Sequence, residues 1–391
     1  MKKFLIGFIL GALIFSLIPF GTLKEYICYK ADGKEKKTIV LFGDSITAYN
    51  ASLGDQGFFT WANVFLGQRF EVLNCAGVAE NTTAQMLTRI QTDVIDYAPD
   101  YCFVMGGLND TRASIDSETT IANLKAIYAA LKDAEINVIA ATLTPDDSVY
   151  KGQWYEVNDW IRSNVKSDDV IVIEIGKGMI DPTNGNPLKN TTIDNLHPSP
   201  FGAFLMGKEV YRQLDGLIKP VDSFVIKNGD DNVLNPNPMM LGDNSGVADF
   251  SAFLSGDVTP SKVARKDGIG GEWQQVTTST ETVADFGQST ATGFSVGDEV
   301  YGQCEIEVKD ITSLKKVELW VGAWDLEFMP LEVTKALSHD DSYADVNNGN
   351  WSGVLKTGTI TIPENTNTII IQLRFTGIAT YKIGRMEIRK K

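Results

Sequence analysis

Between Thr38 and about Pro220 the chain alternates short apolar runs with longer amphipathic ones, and that rhythm admits few folds. The runs Thr38–Phe42, Phe70–Leu73, Tyr101–Met105, Asn137–Ala141 and Val170–Glu174 are rich in β-branched and aromatic residues and read as buried strands. Thr82–Asp96, Glu118–Lys132 and Gln153–Val165 carry helical periodicity between them, and Phe201–Leu217 closes the set. Asp116 or Ser117 offers an N-cap ahead of Glu118, and Pro99 separates the second helix from its strand. Strands joined through helices pair in parallel, because a parallel neighbour needs a long crossover. The expected fold is therefore α/β: a three-layer, doubly wound parallel sheet.

Past Pro220 the texture changes. Glu299–Val308, Lys315–Ala323, Gly358–Ile362, Thr368–Phe375 and Tyr381–Arg389 alternate as strands do, between turns rich in Gly, Asn, Asp and Pro. This predicts an all-β sandwich of jelly-roll type. With 391 residues the chain exceeds what one core usually organises. The division expected is an α/β domain over 38–220, a linker over 221–236 and the sandwich over 237–391.

At the other end, Lys2 and Lys3 precede an uncharged, mostly apolar run from Phe4 to Leu23. That is about the ~20 residues a helix needs to cross a bilayer. It reads as an export element, followed by a polar tether over 24–37, and places the protein outside the cytoplasm: membrane-anchored, secreted or carried on a virion. Pro19-Phe20-Gly21 lacks a small residue at its first position, which favours an uncleaved signal anchor over a cleaved signal peptide. The lysines that follow the run dilute any charge signal for its orientation.

A formal net charge of −15 repels phosphate backbones, so nucleic acid is excluded as a partner. Cys28, Cys75, Cys102 and Cys304 are scattered without metal or disulfide spacing and read as small buried apolar groups. No metal site or cofactor is indicated. Asp243, Asp249 and Asp257 lie near glycines and offer oxygen ligands for Ca²⁺, but solvated turns account for them more simply.

Chemistry gathers at the strand ends. Gly43-Asp44-Ser45-Ile46-Thr47 follows the first strand, and open α/β sheets bind ligands beyond the carboxyl ends of their strands. The chain has two histidines; His339 lies in an acidic turn of the second domain, so His197 is the sensible base for a serine nucleophile. Asp194, three residues earlier, can reach the imidazole Nδ1 and leave Nε2 for the serine proton. Asn74-Cys75-Ala76-Gly77 and Gly106-Gly107-Leu108-Asn109-Asp110 end the second and third strands on the same sheet edge, where a glycine N–H or an asparagine amide can meet an oxyanion. Singly, each of these is an ordinary turn residue. Asp44 and Asp110 are expected to brace the loops.

Gly43-Asp44-Ser45-Ile46, Gly77, Gly107-Leu108-Asn109-Asp110 and Asp194-Asn195-Leu196-His197-Pro198 resemble, in order, blocks I, II, III and V of the SGNH, or GDSL-type, hydrolases. The resemblance runs from Thr38 to Lys219. It implies a flavodoxin-like sheet, a Ser45 nucleophile, His197 as general acid and base, Asp194 as its orienter, and an oxyanion hole from the Ser45 and Gly77 N–H groups and the Asn109 side chain. Two positions depart from the pattern: Glu80 stands where many members carry a second glycine, and Ile46 replaces leucine. The function expected is a serine esterase acting on an acylated glycan, foremost on its O-acetyl groups. A lipid esterase or thioesterase is the alternative within the enzymes, and a non-catalytic adhesion or virion protein the alternative outside them. In the second domain Trp273, Trp320, Trp324 and Trp351 suggest either sugar stacking or a packed core. Asn232-Val233-Leu234-Asn235-Pro236-Asn237-Pro238 is similar to the first strand of carbohydrate-binding jelly-roll modules.

Overall fold

A computed structural model describes residues 36–52, 57–147, 151–164, 170–281, 283–337 and 349–391. The expected membrane segment, Cys28 and His339 lie outside these residues. Among the described residues no helix is long and apolar enough to cross a membrane.

Five parallel strands form the first sheet: β1 (Lys37–Gly43), β2 (Phe70–Gly77), β3 (Tyr101–Met105), β4 (Asn137–Ala141) and β5 (Val170–Ile173), in the order β2-β1-β3-β4-β5. Ile39, Val40, Leu41 and Phe42 of β1 are all fully buried, so the strand reads as a continuous apolar run, as one covered on both faces must. Among the described residues seven α-helices accompany the sheet: α1 (Ser45–Ser52), α2 (Phe58–Phe65), α3 (Thr83–Asp93), α4 (Leu108–Arg112), α5 (Ser117–Asp133), α6 (Lys151–Asn164) and α7 (Pro200–Leu214). They fall into two packed groups, α2 with α7 and α3 with α5 and α6. Two groups follow from right-handed crossovers, since reversing the strand order at β1 sends successive helices to opposite faces. The same reversal opens a crevice at the carboxyl ends of β1 and β3.

The expected strands and helices are present, with two kinds of difference. β2 runs four residues beyond Leu73 to include Asn74–Gly77, its register slipping at Ile39/Val40 of its neighbour. α1, α2 and α4 had no counterpart in the periodicity. α2 (FFTWANVF) is buried almost all round, so it has no polar face to reveal a period.

The second domain is one antiparallel eight-stranded sheet: β6 (Ser251–Ser255), β7 (Val258–Ala264), β8 (Glu272–Thr278), β9 (Val283–Thr290), β10 (Glu299–Trp324), β11 (Pro330–Ala336), β12 (Trp351–Thr361) and β13 (Thr368–Lys390). The four expected strands Glu299–Val308, Lys315–Ala323, Thr368–Phe375 and Tyr381–Arg389 are halves of two long ones, β10 and β13, which pair with each other and slip register together near Lys309/Ser313 and Leu314/Lys316. Phe375 and Tyr381 stand six residues apart on β13, about 20 Å in a straight strand. Their ring centroids are 4.3 Å apart, so the strand doubles back through Gly377 (φ 149°). The bend lets one continuous antiparallel sheet enclose the core of the expected all-β domain.

The segment expected to be a linker is bonded along β13: Val225 N donates to Glu387 Oε1 (2.7 Å), Leu234 N to Ile388 O (2.9 Å), and Arg389 Nη1 to Ser223 O (2.6 Å). Asn235 is buried and bridges Gln288, Met386 and Ile388. The two domains also share apolar contacts. Trp61 and Phe65 of α2 and Phe204 of α7 belong to the core of the β domain, with Trp351 of β12 edge-on to Trp61 at 5.6 Å. Gln68 Nε2 adds a hydrogen bond to Val354 O (2.8 Å).

Candidate active site

β1 ends at Gly43, a position where no side chain fits: a Cβ would lie 2.2 Å from Thr47 Oγ1 and 2.3 Å from Met105 O. Asp44 then caps α1, its Oδ1 accepting the Ile46 N–H at 3.0 Å. Ser45 is the first residue of the helix, half-buried at the β1/β3 crevice, and the first N–H groups of a helix have no acceptor within it.

His197 reaches the same point from the opposite side, on the loop before α7. Ser199 caps that helix through the Gly202 N–H (3.0 Å) and Pro200 occupies its first position. The loop is fixed by Ile193 N to His197 O (3.0 Å) and Ser199 N to Thr191 O (3.0 Å). His197 Nε2 lies 2.9 Å from Ser45 Oγ and Nδ1 lies 2.7 Å from Asp194 Oδ2. Asp194 Oδ1 also accepts the N–H groups of Leu196 (3.1 Å) and His197 (2.7 Å). Partial burial pushes the Asp194 carboxyl up, but the His197 ring and these two N–H groups outweigh it and hold the group below its ordinary value. An ionised carboxylate on Nδ1 keeps a proton there, leaving Nε2 unprotonated to accept one from the serine.

Tyr49, unsuspected from the sequence, stacks on the His197 ring with centroids 4.5 Å apart and planes at 10°. It stands four residues after Ser45 on α1, a spacing that puts two side chains on one helix face. That spacing was the available signal.

The other expected residues take different places. Asn109 is half-buried on α4, its Nδ2 donating to Asn81 O at 3.0 Å. Gly107 precedes it at φ 116°, a conformation open to glycine. Gly77 packs under α1, where a Cβ would lie 2.1 Å from Ala48 N. Glu80, the departure from the family pattern, is exposed with φ 62°. Asp110 braces the floor as expected: fully buried, it accepts Thr83 N (2.9 Å) and Thr83 Oγ1 (2.5 Å).

Asp44 is buried, and burial pushes its carboxyl up to about 6 from 3.8, against the Ile46 N–H and the His197 charge. The folded protein therefore takes up a proton between these values that the unfolded chain does not, and stability falls as pH rises through the window. The penalty is absent below about 4 and fully present above about 6. Asp44→Asn, which keeps an oxygen for Ile46, is expected to raise stability at pH 7 by at most about 3 kcal/mol and to flatten the slope between these pH values. Urea denaturation across pH measures both, and an unchanged slope would reject the assignment.

A groove of about 500 Å³ runs along α7, lined by Leu188, Lys189, Phe201, Leu205, Lys208 and Arg212 among others; Ser45, Asn109 and His197 are not in its wall. In the β domain three of the four tryptophans offer no open ring face. Arg265 lies over Trp273 (4.3 Å), Lys335 (3.9 Å) and Arg374 (4.5 Å) both lie over Trp320, and Trp351 is buried against α2. Their cation contacts and burial answer to packing rather than to sugar stacking. Among the described residues no cluster of His, Cys, Asp and Glu is arranged to hold a metal ion.

Residues 41–203 match the model of the GDSL-like lipase/acylhydrolase family. No curated protein matches the chain. Solved structures similar to it include the lipase/acylhydrolase from Enterococcus faecalis, at 25% identity over 48% of this chain and 100% of that one, with a TM-score of 0.40. A GDSL-like lipase from Bacteroides thetaiotaomicron shares 19% identity over 46% of this chain and 88% of its own (TM-score 0.40). The acetyl xylan esterase AlAXEase shares 20% over 45% of this chain and 98% of its own (TM-score 0.38).

Proposed function

We propose that the GDSL-like lipase/acylhydrolase domain at residues 41–203 is a serine esterase whose substrate is a small acyl group, foremost O-acetyl, carried on a polysaccharide. The observation that carries the reading is the relay Asp194–His197–Ser45, with contacts of 2.7 and 2.9 Å. These lie within the reach a base and its orienting acid need.

In this reading His197 Nε2 takes the Ser45 proton as Oγ attacks the carbonyl carbon. The oxyanion accepts hydrogen bonds from the Ser45 N–H and Asn109 Nδ2, with the Gly77 N–H the third expected donor. Collapse expels the alcohol, which leaves with the proton from His197. Water, deprotonated by the same imidazole, then adds to the acyl-enzyme and releases the acid and Ser45.

Half of the Asp194 side chain and about a fifth of His197 are exposed, so the relay stands near the surface, where an ester on a bulky carrier can approach. A docked second domain favours a polymer by holding it near the site and raising its effective concentration. Acetate release from a panel of acetylated glycans, set against long-chain acyl esters and thioesters, tests the reading. Release from at least one acetylated polymer at rates above those on long-chain esters is expected; the reverse order would favour the lipid esterase. Export, with the 1–23 segment as anchor or leader, remains part of the proposal.

A further inference from the structure

We propose that Arg89 positions the oxyanion side of this site, acting through Asn81 and Asn109; the inference rests on the esterase reading above. Arg89 lies on α3, which no motif marks, and its side chain is 15% exposed. Its Nη2 donates to Gly43 O (2.6 Å), two residues before Ser45. Nη1 donates to Ala76 O at the end of β2 (3.0 Å) and to Asp93 Oδ2 (2.6 Å), and Nε donates to Asn81 Oδ1 (2.8 Å). The guanidinium rests 4.6 Å over the Phe42 ring.

One rigid planar group thus ties the ends of β1 and β2 to the loop between β2 and α3. A lysine, with a single point charge, cannot span these acceptors. The loop needs such a tie because Glu80 is held at φ 62°, a conformation a non-glycine residue adopts at a cost. Asn81, the next residue, then presents its carbonyl to Asn109 Nδ2 at 3.0 Å. One amide hydrogen of Asn109 is committed there, which fixes the rotation of the amide and leaves its second hydrogen for an oxyanion.

The test uses the full chain with Arg89→Gln and Arg89→Lys beside Ser45→Ala. With p-nitrophenyl acetate, kcat is expected to fall by about 10- to 100-fold in both Arg89 variants, with KM nearly unchanged, as a small misplacement of a catalytic donor costs. Phenylboronic acid adds the Ser45 oxygen to boron and forms a tetrahedral adduct that needs the same donors, so its Ki should rise in parallel with the loss in kcat. A merely structural arginine would lower the unfolding midpoint while leaving kcat and Ki unchanged at temperatures where the variant is folded, and that result would overturn the proposal. If the wild-type protein shows no Ser45-dependent hydrolysis, the esterase reading and this inference fall together. Hydrolysis by the wild type with unchanged Arg89 variants removes the inference alone.

Discussion

Ser45→Ala is expected to hydrolyse p-nitrophenyl acetate about 10⁴-fold or more slowly than the wild type, with KM little changed. In the proposed reaction the hydroxyl oxygen is the atom that bonds to carbon, and its polar neighbours do not replace it: Asp44 is spent on the cap and Tyr49 on the imidazole. His197→Ala should cost a similar factor, since without Nε2 at 2.9 Å the hydroxyl has no base. The double variant should be no worse than either single one, because members of one relay act as a unit. Steady-state rates on the three proteins check this. Activity of Ser45→Ala within tenfold of the wild type would end the serine-esterase reading.

The second large effect lies away from the chemistry. Trp351→Ala is expected to destabilise the protein by about 3–5 kcal/mol. Trp351 is 5% exposed and meets Trp61 edge-on at 5.6 Å and Phe65 at 6.1 Å, so truncating it opens a cavity at the junction of the domains. Urea denaturation followed by circular dichroism measures the loss, and a change below about 1 kcal/mol would show that the junction is not a packed core. kcat on a small ester should survive in the folded variant, because Ser45 and His197 are on other elements. Deleting 224–391 is the harsher change. It bares Trp61, Val64, Phe65 and Phe204 together, and the truncated chain is expected to associate.

The parallel sheet was legible because each of its strands is a compact apolar run between polar helices, and the meeting of Ser45, Asp194 and His197 because these residues lie in short local patterns at strand and loop ends. Tyr49 and Arg89 were not. Tyr49 carries no chemical signature, only a helical spacing within a helix too short to show a period. Arg89 pairs with Asp93 at i, i+4, which in a sequence looks like an ordinary surface ion pair. Two of its other partners are the main-chain carbonyls of Gly43 and Ala76, which leave no trace in residue types, and the third is the Asn81 side chain, eight residues away and on no shared helix face. The long strands β10 and β13 read as four because their bulged bends break the alternation. The supposed linker read as one because Asn and Asp suit turns as well as they suit the buried bridges that Asn235 makes.

α2 answers to both domains at once. Asn50 of α1 accepts the Phe59 N–H of α2 at 2.7 Å, and two residues further along Trp61 meets Trp351. Gly353 of β12 comes so near that a Cβ would lie 2.3 Å from Val64 O. Exchange of the C-terminal half between relatives by recombination would therefore have to carry matching changes in α2, and the two halves are expected to be inherited as a unit rather than shuffled as separate parts.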